Sequence, residues 1–201
     1  MKIYAISPET FCETEADIVG ALLDAGLDAY HLRKPLATRP EVECFLKGLS
    51  EKRRSRIVLH EHHSLVNEWG LMGYHFKDRV RMESDRQAIA SEAHESKCMS
   101  RSLHCIEKID ADVCEWDYVF LSPIFPSISK QGYASSWSDL ALVDALGKVE
   151  SNTRICALGG IDLQTASKAR DLGFGGVVLH GALWGDESPV SRFSEIEKAL
   201  R

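Results

Sequence analysis

Short runs rich in Val, Ile, Leu and Tyr alternate with longer stretches of helical periodicity from one end of the chain to the other, and no linker interrupts them. That alternation restricts the fold more than any other feature. Strands are predicted over 2–7, 29–33, 56–60, 73–76, 97–103, 118–122, 154–158 and 176–180, eight in all. Amphipathic segments with apolar residues three and four apart lie between them over 15–25, 40–52, 85–95, 139–149, 163–172 and 190–200. The connection over 61–71 is shorter and less regular. A doubly wound open sheet needs only five or six strands, whereas eight strand-helix units in 201 residues approach the lower size limit of a (β/α)8 barrel. Continuously apolar strands such as Ile155-Cys156-Ala157-Leu158 suit a parallel sheet covered by helices. The expectation is an α/β chain forming one (β/α)8 TIM barrel, a single domain over residues 1–201. In such a barrel the active site gathers at the carboxyl ends of the strands.

Composition narrows the function classes. The chain is 44% hydrophobic and 27% charged, which excludes disorder and collagen-like repetition. Its 24 Lys and Arg against 30 Asp and Glu give a formal charge of -6, so no basic excess argues for nucleic acid or an anionic membrane as partner. The apolar run at the start is too brief for a signal peptide, and no stretch approaches the ~18 apolar residues of a membrane span, which points to a cytoplasmic location. Cys12, Cys44, Cys98, Cys105, Cys114 and Cys156 form no C-x-x-C pair and read as reduced thiols.

The predicted strand ends carry the chemistry. After the sixth strand, the segment Ser122-Pro123-Ile124-Phe125-Pro126-Ser127-Ile128-Ser129-Lys130 puts two hydroxyls and an ammonium close together. Ser127, Ser129 and Lys130 could grip a phosphate or pyrophosphate, although the same composition suits an ordinary surface loop. After the seventh strand Gly159-Gly160-Ile161-Asp162 leads into a helix, and after the eighth comes His180-Gly181-Ala182. Gly159, Gly160 and Gly181 would let the main chain approach a phosphate, with Asp162 as helix cap. His31, His60, His75, His104 and His180 fall at or near strand ends and could line one mouth, though alternation along each strand should turn some outward. His104 is the best placed of them for proton transfer. The cluster His60-Glu61-His62-His63 is weak evidence for a metal, because adjacent histidines cannot easily face one ion. Arg33 could hold a carboxylate or phosphate bidentately, or form an ion pair on the rim.

The order of these pieces resembles the thiamin phosphate synthase and thiazole tautomerase superfamily, over nearly the whole chain. The resemblance rests on His31-Leu32-Arg33-Lys34-Pro35, Gly73-Tyr74-His75-Phe76, Ser102-Leu103-His104 and Ala157-Leu158-Gly159-Gly160-Ile161. Its most specific part is the segment from Tyr118 to Lys130. It implies a (β/α)8 barrel, a small phosphorylated heterocycle (a thiazole phosphate) as substrate, phosphate contacts at Ser127, Ser129, Lys130, Arg33, Gly159, Gly160 and Gly181, and a possible homodimer. The synthases couple a pyrimidine methyl pyrophosphate to that thiazole with magnesium assistance. Here His60-Glu61 stands where they carry Asn-Asp, their second metal aspartate falls near Val80, and their pyrophosphate lysine falls on Pro35. Glu61 and Asp78 would serve only if magnesium is retained; otherwise no cofactor is expected. The His31-Leu32-Arg33 and Arg101-Ser102-Leu103-His104 patterns are similar to the tautomerase branch. The expectation within the superfamily is therefore a metal-independent proton transfer, with His104, Arg33 and His31 as catalytic residues. A true synthase and a non-catalytic phosphate-binding regulator are the alternatives.

Overall fold

Eight parallel strands close on themselves in sequence order in the computed structural model, β1 pairing with β2 on one side and β8 on the other. The described residues are 1–78, 97–109, 116–126, 137–149, 152–185 and 188–201. The strands are β1 (Lys2–Ile6), β2 (Ala29–Leu32), β3 (Ile57–Leu59), β4 (Gly73–Phe76), β5 (Cys98–Leu103), β6 (Tyr118–Leu121), β7 (Arg154–Leu158) and β8 (Gly176–Leu179). The chain is a (β/α)8 TIM barrel. Among the described residues the helices around it are α1 (Glu15–Asp24), α2 (Arg39–Lys47), α3 (Glu51–Arg54), α4 (Leu65–Glu68), α5 (Asp139–Gly147), α6 (Ala166–Asp171), α7 (Gly181–Trp184) and α8 (Pro189–Leu200). None of the helices among the described residues is long and apolar enough to cross a membrane.

Two helix predictions need correction. The periodicity over 40–52 reads as one helix, yet α2 stops at Lys47 and α3 starts at Glu51. Gly48 and Ser50 favour a stop and a new cap over continuation, and the break drops Leu49 into the core at 3% exposure. The predicted start at 163 moves to Ala166 because Asp162 folds the intervening residues into a turn. Its Oδ1 accepts the N–H groups of Gln164 and Thr165, each at 2.9 Å. The segment 85–95 lies outside the described residues.

The core has two compartments. Leu, Ile, Val and Phe side chains on alternate strand positions pack outward against the helices, as with Leu22, Leu46 and Phe193 meeting Ile57, Leu59 and Val177. The other positions point into the barrel and are far less aliphatic: Tyr4, Tyr118 and Phe120 fill the interior with Ile6, Val58, Cys156 and Val178. Barrels usually fill this space with branched aliphatics. Tyr4 stacks on Tyr118 with ring centroids 4.6 Å apart, and His31 lies 4.6 Å from Phe120. Polar rings at this depth leave the centre of the barrel available to chemistry.

Candidate functional site

Three of the predicted strand-end histidines meet inside the barrel. His31 on β2 is fully buried, His75 on β4 nearly so, and His60, one residue past β3, remains partly open to solvent. One ring nitrogen from each can be chosen so that all three lie within 4.8 Å of one another. His31 Nδ1 is 3.1 Å from His60 Nε2, and the His60 and His75 rings stack at 4.1 Å. Register explains the meeting. His31 is level with Val58, while the β3–β4 ladder that pairs Leu59 with Tyr74 puts His60 level with His75 one step on. Staggered, tilted strands bring such interior positions together diagonally.

Hydrogen bonds around the three rings are specific. Ser100 Oγ lies 3.1 Å from the Tyr74 carbonyl and 2.9 Å from His75 Nδ1; with its proton on the carbonyl it accepts from Nδ1–H. In that tautomer His75 Nε2 presents its lone pair, 2.9 Å from Ser102 Oγ. Tyr118 Oη lies 2.8 Å from His31 Nε2. Burial first, and neighbouring histidines second, hold His31 and His60 well below the usual imidazole range. Burial, with His63 adding to it, takes His75 down to about 3. All three are neutral at pH 7. Burial likewise pushes the Tyr118 hydroxyl up, keeping it protonated.

Between α1 and the end of β2 lies a buried ion pair that sequence reasoning missed. Lys34 Nζ donates to Glu15 Oε2 at 2.6 Å and to the Thr10 carbonyl at 2.9 Å, and Tyr30 Oη donates to Glu15 Oε1 at 2.8 Å. The Lys34 ammonium also sits 4.4 Å from the Phe11 ring centroid. Only the fold reveals it, since a lysine after a strand usually reads as surface.

The other predicted residues stand on the rim. Arg33 Nη1 pairs with Glu9 Oε1 at 2.6 Å in an exposed contact, the rim ion pair that its sequence position left open. His104 is exposed on the loop after β5, with Nδ1 3.1 Å from both the carbonyl and the hydroxyl of Ser122. It is not part of the interior trio. Gly159 and Gly160 adopt φ of +95° and +62°, which favour glycine. A Cβ on Gly160 would lie 2.5 Å from the Pro126 carbonyl oxygen. The close approach locks the loop after β6 to the turn after β7, with Ile124 and Phe125 N–H donating to the Leu158 and Gly159 carbonyls at 3.0 and 3.1 Å. Gly181 opens α7, whose Trp184 Nε1 donates to the Ile6 carbonyl at 2.7 Å and ties β8 to β1. Ser127, Ser129 and Lys130 lie outside the described residues.

Magnesium takes oxygen ligands in near-octahedral geometry. The two carboxylates offered for it do not converge: Glu61 Oε2 accepts the Lys34 N–H at 3.2 Å, while its Oε1 is buried without a hydrogen-bond partner, 3.6 Å from the exposed Lys77 ammonium. Asp78 Oδ1 lies 3.2 Å from Arg101 Nη2 and 3.8 Å from Lys108 Nζ. At the barrel centre the donors are imidazole nitrogens. Among the described residues, then, the donor set does not fit a magnesium ion.

Comparison with known proteins gives the wider setting. Residues 3–183 match the family model described as thiamine monophosphate synthase. The chain is 32% identical to a crystal structure of thiamine phosphate pyrophosphorylase from Bacteroides thetaiotaomicron, with a TM-score of 0.82 over 99% of this chain and 97% of that one. It is 25% identical over 195 residues to the thiamine-phosphate synthase of Chlamydia abortus, covering 94% of this chain and 87% of the relative. A thiamine phosphate pyrophosphorylase from Pyrococcus furiosus shares the fold at 18% identity, with a TM-score of 0.77. These matches favour the transferase over the expected proton-transfer enzyme and give the tautomerase reading no support.

Proposed function

Because the chain belongs to the thiamine monophosphate synthase family, we propose that it joins a pyrimidine methyl pyrophosphate to a thiazole phosphate, releasing pyrophosphate. In this reaction the thiazole nitrogen forms a bond to the pyrimidine methylene carbon as the carbon–oxygen bond breaks, and pyrophosphate leaves with the electron pair. The observation that carries the reading is likeness over 99% of the chain to a pyrophosphorylase structure at 32% identity.

Each half of the mouth has a part in this reaction. The turn at Gly159 and Gly160 and the first amides of α7, which a helix leaves without internal partners, would hold the thiazole phosphate through main-chain donors. Arg33, on the rim just past β2, would exchange Glu9 for a phosphate oxygen. Ser127, Ser129 and Lys130 would complete the grip on the leaving group. The Tyr118 and Phe120 rings below exclude water from a carbocation-like fragment that water would otherwise capture.

The test offers purified protein the pyrimidine pyrophosphate and the thiazole phosphate, with and without a divalent cation, and follows thiamin phosphate and pyrophosphate together. Equimolar appearance of both is expected. The non-aromatic thiazole carboxylate tautomer is offered separately. Turnover of that compound alone would replace the synthase reading with the tautomerase one, and tight thiazole phosphate binding without turnover of either would make the protein a binder.

A further inference from the structure

We infer that His31, His60 and His75 form a binding site for a borderline divalent cation of the zinc, cobalt or nickel type, at the centre of the barrel mouth. The first observation is convergence: three neutral imidazoles from three successive strands bring one nitrogen each within 4.8 Å of the others. The second is the His31–His60 separation. Nitrogens 3.1 Å apart, each about 2.1 Å from one ion, subtend about 95°, an angle that four- to six-coordinate ions accept.

The third observation is the set of partners behind the rings. Histidine ligands commonly donate their second ring N–H to a fixed acceptor, which sets the tautomer and aims the free lone pair. Ser100 Oγ, between the Tyr74 carbonyl at 3.1 Å and His75 Nδ1 at 2.9 Å, is placed to do this for His75, whose Nε2 lies 2.9 Å from Ser102 Oγ. Tyr118 Oη is placed to do the same for His31 Nε2, leaving Nδ1 facing His60. A cation would take the place of the one proton that His31 and His60 share. Phe120 packs against His31 and His75, 4.6 and 4.8 Å away, while the partly open His60 gives an entry path from solvent. Imidazole favours zinc-like ions over magnesium, and the three grouped donors are all imidazoles.

The site does not depend on the transferase reading, since binding is read without substrate. The untagged protein, stripped with a chelator and dialysed, is titrated with zinc and with cobalt, followed by calorimetry, bound-metal analysis and the cobalt d–d absorption. One equivalent of either ion is expected, with cobalt bands of a nitrogen-rich site that millimolar magnesium does not displace. His60→Gln, at the solvent-exposed edge, should weaken binding at least 100-fold. Tyr118→Phe, which keeps the stacked ring, should weaken it about 10–100-fold. Absence of stoichiometric zinc or cobalt binding, displacement by equimolar magnesium, or unchanged affinity in both variants would overturn the inference.

Discussion

Around β2, β3 and β4 the site is made of side chains, three neutral imidazoles inside the barrel with a lysine–glutamate pair buried between α1 and the end of β2, whereas around β7 and β8 it is made of main chain, with glycine turns where side chains would collide. The two halves tolerate change differently. On the side-chain half, a polar group taken from water is stable only while its partner is present. On the main-chain half the constraint is shape, and adding a single carbon is enough to break it. A phosphorylated heterocycle bridging the two would meet imidazole on one side and amide donors on the other.

The side-chain half should give the largest effect. Glu15→Gln removes the one charge that balances the buried Lys34 ammonium, leaving it neutral acceptors and the Phe11 ring, and urea unfolding should show a loss of about 3–5 kcal/mol. Replacing the pair together, as Glu15→Leu with Lys34→Met, should recover most of that loss. A double variant as unstable as Glu15→Gln would mean that the pair is not what holds this region together.

Gly160→Ala comes next. The added Cβ, 2.5 Å from the Pro126 carbonyl oxygen at a φ of +62°, should destabilise by about 2–4 kcal/mol and weaken thiazole phosphate binding more than pyrimidine binding. Equal loss for both ligands would break the assignment of the thiazole phosphate to the main-chain half.

A smaller, pH-dependent effect separates the halves again. In chelator-stripped protein His75 titrates near 3 against an ordinary value of 6.5, so between those values the unfolded chain binds the extra proton. The neutral ring faces His31, His60, His63, Ser100 and Ser102. Stability should therefore be flat above pH 7 and decline as the pH falls below 6.5, by up to about 1.4 kcal/mol per pH unit for each such histidine. His75→Gln should flatten that slope in denaturant midpoints measured from pH 7 to pH 4.

The smallest stability effect belongs to the rim. Arg33→Ala breaks only an exposed contact with Glu9 and should change stability by less than about 0.5 kcal/mol. It should raise the KM for a phosphorylated substrate about tenfold, as loss of one charged hydrogen bond does. An unchanged KM would leave Arg33 as a rim ion pair and nothing more.

Strand positions were readable because a short, continuously apolar run is a local signal: β4 and β7 match their predicted bounds at both ends, and the other strands differ by one residue at one or both ends. Gly159 and Gly160 were also legible, since two consecutive glycines before Ile161-Asp162 imply a turn no other residue makes easily. The helix break at 48–50 was not, because it follows from where Leu49 must pack. Two-residue periodicity predicted that some strand-end histidines face inward. It could not say that His31, His60 and His75 would be the ones to meet, nor that His104 would stand apart on the rim.

The amino-acid order by itself determined eight strands, their parallel closure and the turns that must be glycine, because each follows from the conformational preferences and polarity of neighbouring residues. Only the tertiary structure decided that Lys34 is buried against Glu15 and that three imidazoles share one space. Those contacts depend on the stagger between strands, a quantity set by closure of the whole barrel and not by any one segment.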